Sequence, residues 1–60
     1  MVSAHDFRNA ENARRHIGAA QAAPHRKDLE LTQAEALARL IADPMLRADV
    51  MREIEEARDK

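Results

Sequence analysis

From Leu31 onward the chain sorts its apolar residues at helical spacing. Thr32-Gln33-Ala34-Glu35 has the form of a capping box, in which the Thr32 hydroxyl accepts from the Glu35 N–H and the Glu35 carboxylate reaches back to the Thr32 N–H. The helix it opens carries Leu37, Leu40 and Ile41 at i, i+3 and i+4, a single apolar stripe. Asp43-Pro44 then predicts a break near Ala42, because proline disfavours helical backbone in the residue before it and donates no hydrogen bond. The same pair suits a helix start, with Asp43 as N-cap and Pro44 at the first helical position. The next helix is predicted from Pro44 to about Arg58, with Leu46, Val50, Ile54 and Ala57 on its inner face and Met45 and Met51 on its flanks. Glu35–Arg39 and Glu56–Lys60 stand at i,i+4 and add a few tenths of a kcal/mol each.

The N-terminal half carries a weaker pattern. Ser3 can cap a helix over residues 4–17 with Phe7, Ala10, Ala13 and Ile17 along one face and Gly18 as its C-terminal stop. The alanines after Gly18 could prolong that helix, but Pro24 ends it. Leu29 and Leu31 alternate with Asp28 and Glu30, which predicts a short extended segment laid over the C-terminal hairpin. The expected fold class is therefore all-α: a helical hairpin of about 32–42 and 44–58, and an N-terminal helix joined to it by an Ala/Pro linker. Residues 1–60 make one small domain, divided into a docking arm (1–17), a linker (18–31) and the hairpin (32–58). Residues 18–27 are expected to be the least protected backbone.

Composition sharpens this picture. Thirteen of the 27 apolar residues are alanine, and Phe7 is the one aromatic side chain, so large core-forming side chains are scarce. A chain of 60 residues buries only about 60% of the surface its unfolded form exposes. Small scaffolds make up the deficit with a disulfide, a metal or a partner. Cysteine is absent, so a disulfide and thiolate chemistry are excluded. His5, His16 and His25 share no i,i+3 or i,i+4 spacing, and nothing converges the three or four ligands that zinc takes. A partner remains, and a second copy would serve.

Charge and motif content exclude further classes. One glycine rules out a glycine-rich phosphate loop, and the lone Ser3 and Thr32 are assigned to helix caps, so no catalytic residues, cofactor or small-molecule substrate are expected and the chain reads as a non-enzyme. The carboxylates of Glu53, Glu55, Glu56 and Asp59 alternate with Arg52, Arg58 and Lys60, as on a solvated helix face. No apolar run is long enough to span a membrane, and the first residues lack the basic-then-apolar order of a secretory signal. The expected location is the cytoplasm or a larger soluble assembly.

Leu31-Thr32-Gln33-Ala34-Glu35-Ala36-Leu37-Ala38-Arg39-Leu40 resembles the opening of the helix-turn-helix in the Cro/phage-repressor family, which begins with a similar Leu-Thr-Gln-x-Glu run. The resemblance covers about ten residues and implies sequence-specific DNA binding. The chain departs from that pattern in three ways. Ala36 and Leu37 stand one position out of register, the turn reads Ile41-Ala42-Asp43-Pro44 without glycine, and the recognition position holds Asp49, Glu53, Glu55 and Glu56. Carboxylates there repel phosphates. The residues thus point first to a small protein–protein interaction module: an adaptor, inhibitor, assembly factor or minor subunit, virus particles included. Phe7, Ile17, Met45 and Met51 are its candidate partner-binding residues. A helix-turn-helix regulator is the alternative, with nucleic acid as its partner.

Overall fold

The computed structural model describes residues 2–60; Met1 lies outside the described residues. Three α-helices account for most of them. They are α1 (Ala4–Ala22), α2 (Lys27–Arg39) and α3 (Pro44–Asp59), with one 3-10 turn, Pro24–Arg26, between α1 and α2. The all-α class is the observed one, in a body of 36 × 17 × 14 Å. The side-chain ties set the directions of the helices. His16 meets Glu30 and Asp6 meets Ala42, so α1 and α2 are antiparallel. Arg14 meets Glu53 of α3, whose N-terminal end sits beside Asp6, so α1 and α3 run parallel.

Several starts and stops follow from local chemistry as expected. Ser3 Oγ accepts from the Asp6 N–H at 3.0 Å and caps α1. The Asp43 carboxylate accepts from the Leu46 N–H at 2.8 Å and caps α3, with Pro44 as its first residue. The break between Arg39 and Pro44 is thus real. Arg47 secures it by donating to the Ile41 carbonyl at 3.1 Å.

The segment 18–31, expected to be a linker, is largely helix. Gly18 adopts no positive φ and lies inside α1, which continues to Ala22. Good helix formers on either side carry the helix through it, and Pro24 is the residue that stops it. Pro24 then fixes the backbone of a 3-10 turn that leads directly into α2. Leu29 and Leu31 are accordingly helical rather than extended. An added methyl at Gly18 meets nothing within 4 Å. Gly18→Ala is expected to stabilise the fold by about 0.8–1 kcal/mol, read as a raised midpoint in urea.

Thr32 is also reassigned. It sits in the second turn of α2, where its hydroxyl donates to the Asp28 carbonyl at 2.7 Å instead of capping a helix. The Thr-x-x-Glu spacing occurs here mid-helix, and Glu35 pairs with Arg58 of α3 and, at 3.8 Å, with Arg39. Glu56 likewise pairs with Arg52 at 3.8 Å. Exposed mid-helix threonine is a poorer helix former than alanine and competes for its own backbone. Thr32→Ala should therefore raise stability by about 0.5 kcal/mol rather than remove a cap, and thermal melts decide between the two.

The core is built from alanine as much as from large side chains. α1 buries Asp6, Ala10, Ala13, Ile17 and Ala20, and α3 buries Val50, Ile54 and Ala57. The inner line of α2 is Leu31, Ala34 and Ala38, continued by Ile41 beyond its end; Leu37, Leu46 and Met51 pack against the core from its edges. This line, at i, i+3, i+7 and i+10, is rotated away from the expected Leu37/Leu40/Ile41 stripe. Leu40 faces solvent as a result.

Candidate interaction surface

The end of the molecule where α1 begins and α2 turns into α3 is organised by one side chain. Asp6 is 5% exposed, and its two carboxylate oxygens accept from the Ala42 N–H at 2.9 Å and the Asp43 N–H at 3.0 Å. Those two amides lie between helices and have no helical carbonyl to bond. The Ala42 N–H, above all, holds the Asp6 carboxyl below its ordinary value; burial pushes the other way, and the Asp43 N–H, the nearby His5 and the bond to Ser3 pull in the same direction as Ala42. A charged carboxylate thus ties the first turn of α1 to the α2–α3 corner.

That tie decides where the neighbouring residues point. Asp6 faces inward, so Phe7, one residue and about 100° further round the helix, faces outward and is 60% exposed. Met45, in the first turn of α3, is 77% exposed at the same end of the molecule. Arg14 donates to Glu53 through Nε at 3.1 Å and through a terminal nitrogen at 2.8 Å. Seven residues earlier on each of these parallel helices stand Phe7 and Leu46, which places Phe7 on the α3 flank of α1.

The four expected partner-binding residues therefore separate. Phe7 and Met45 are surface residues of one end. Ile17 is 8% exposed and belongs to the core between α1 and the other helices. Met51 is half-buried and packs against the core, so it adds little to any surface. The reason is the alanine core: with small residues filling the centre, Ile17 is drawn in as one of its few large members. The residues that sequence reasoning passed over are Val2, Leu29 and Leu40, all exposed. Leu29 was masked by its expected place in an extended strap, and Leu40 by its expected place in the hairpin core.

His16 Nδ1 lies 2.7 Å from a Glu30 oxygen, bridging α1 and α2. Among the described residues no three His, Cys, Asp or Glu side chains converge as metal ligands, and no buried side-chain nitrogen or oxygen lacks a hydrogen-bond partner. No helix among them is long and apolar enough to cross a membrane. A groove of about 500 Å³ runs between α1 and α2, lined in part by Asn12, Arg15, Gln33 and Leu37. The comparisons add no relative. No protein-family model, no curated protein and no solved structure matches the chain.

Proposed function

We propose that the chain is a small non-enzymatic interaction module that docks through apolar helix surfaces on a protein partner or on a second copy of itself. The observation that carries this reading is the exposure of Phe7 and Met45 together at one end of a fold whose core is short of large side chains. A chain with fourteen apolar residues larger than alanine gains most by burying them, about 1.5–3 kcal/mol for each side chain fully removed from water. Leaving Phe7 and Met45 outside is a loss that association recovers. The Asp6 tie supports the reading further, because it holds both side chains on rigid helix starts.

Association through that end is the test. Sedimentation equilibrium of the purified chain, with photocrosslinking from benzoylphenylalanine placed at Phe7, should report a protein neighbour, either another copy or a larger protein. Phe7→Ser combined with Met45→Ser should abolish that association while helix content is retained. A chain that stays monomeric at all concentrations and crosslinks to no protein at Phe7 would overturn the proposal.

The DNA-binding alternative draws less support. α3, in the position of a recognition helix, carries Asp49, Glu53, Glu55, Glu56 and Asp59 against Arg47, Arg52 and Arg58. Two of those arginines are already engaged with carboxylates of the same helix, at 3.4 Å for Arg52–Asp49 and 3.2 Å for Arg58–Glu55. Tight, steeply salt-dependent binding to generic duplex DNA would favour the alternative.

A further inference from the structure

α2 has a second, exposed line that the core does not use, apolar except at Gln33. Leu29, Gln33, Ala36 and Leu40 recur at i, i+4, i+7 and i+11, and all four are exposed, Leu29 at 52% and Leu40 at 66%. At 1.5 Å per residue the line is about 16 Å long, three turns of helix. Gln33 also lines the groove between α1 and α2, so the stripe adjoins that groove, whose lining includes Leu37, Arg15 and Glu30, the last paired with His16 and Arg26. Arg8 stands seven residues before Arg15 on the same side of α1, with the exposed Glu11 between them at i+3 and i−4. Neither arginine has a carboxylate within ion-pair distance among the described residues, although Arg14, Arg26, Arg39, Arg52 and Arg58 all do. Leu29, Ala36 and Leu40 along three turns, interrupted by Gln33, with two unpaired guanidinium groups along the α1 edge, are the complement of one kind of ligand.

We propose that the α1/α2 face, from Leu29 to Leu40 with Arg8 and Arg15 at its edge, docks an acidic amphipathic helix of another protein. The partner's apolar side chains would cover Leu29, Leu37 and Leu40, and its carboxylates would meet Arg8 and Arg15, as helix-in-groove recognition requires. Ala36 at the middle of the stripe lets the two helix backbones approach closely. Charge opposes an antiparallel pairing of this face with a second copy. An antiparallel two-fold pairing of this face brings Arg8 and Arg15 against the same residues of the other chain, and like charges facing one another oppose association. Phosphate would satisfy the arginines but leave the leucines in water.

This inference rests on the interaction-module reading but concerns a different face from Phe7 and Met45, so the two can fail separately. The probes are two designed helical peptides of roughly fourteen residues with the same leucine stripe, one flanked by glutamates and the other by lysines. Binding to the full chain is followed by fluorescence anisotropy. The glutamate peptide should bind at least about tenfold more tightly than the lysine peptide, and added salt should narrow the gap. Arg8→Glu with Arg15→Glu should reverse the preference, and Leu29→Ser with Leu40→Ser should remove binding of both peptides. All four side chains are exposed, so circular dichroism should show the variants folded. Equal affinity for the two peptides, or glutamate-peptide binding indifferent to the arginine substitutions, would overturn the proposal. So would duplex DNA binding through Arg8 and Arg15 with no binding of the glutamate peptide. Loss of this face with the Phe7 crosslink intact would leave the module reading standing.

Discussion

Ala34→Leu is expected to lower stability by about 2–3 kcal/mol, although it adds apolar carbon to an apolar core. Ala13 and Ala34 are both fully buried. They lie at matching levels of the antiparallel α1–α2 pair, between the Asp6–Ala42 and His16–Glu30 ties. Ala10 and Ala38, also buried, lie at the next level. Helices that meet through methyl groups leave no room for an isobutyl group, so a leucine must push α1 away or leave its rotamer. For a domain of this size the melting temperature should fall by roughly 10–20 °C. Ala36→Leu is the control, since Ala36 is on the exposed side of the same helix and should cost almost nothing. Equal thermal shifts for the two variants would mean that α1 and α2 are not packed closely at Ala34.

The same alanines explain which parts of the fold were legible in the sequence. Helix ends marked by a side chain that acts within its own turn were readable: Ser3 and Asp43 cap the helices they were assigned to, and Pro24 and Pro44 stand where one helix stops and another begins. Signals with two physical uses were not. Thr-x-x-Glu serves a helix start and a helix middle equally well, and only the preceding turn, set by Pro24, decides between them. Buried faces were misjudged where alanine forms them. A count of large side chains selects Leu37 and Leu40 for the inner face of α2, whereas the line Leu31, Ala34, Ala38 and Ile41 allows a closer approach of α1. Phe7, grouped by spacing with Ala10, Ala13 and Ile17 on one face, lies off the buried line that those three share. What turns it outward is Asp6, a charge whose partners are backbone amides thirty-six and thirty-seven residues away. No local pattern encodes that pairing, and it separates the expected surface residues into Phe7 and Met45 outside and Ile17 within.

Asp6 should therefore be the most sensitive polar position in the chain. Asp6→Ala leaves the Ala42 and Asp43 N–H groups, which no helical carbonyl reaches, without their acceptors at a part-buried corner, and amides that lose their partners are costly to a fold. A fall in melting temperature on the order of 10 °C is expected, with loss of hydrogen-exchange protection at the amides of Ala42 and Asp43. Asp6→Asn keeps one acceptor but turns an NH2 group toward the second amide, so it should also lose stability, though less than alanine. The pH dependence follows from the direction of the shift. The folded-state value of Asp6 is lowered from its ordinary 3.8, so its contribution is fully present above the unfolded value and is lost as pH falls through the folded one. The stability that Asp6 contributes should hold from neutral pH down to about pH 5 and then be lost in the acid range below the ordinary aspartate value. Over the same acid range Asp6→Asn should lose less, and the two melting curves should converge once pH falls below the lowered folded-state value. Parallel acid losses in wild type and Asp6→Asn would mean that other carboxylates govern the acid limb and that Asp6 does not hold α1 to the corner as an anion.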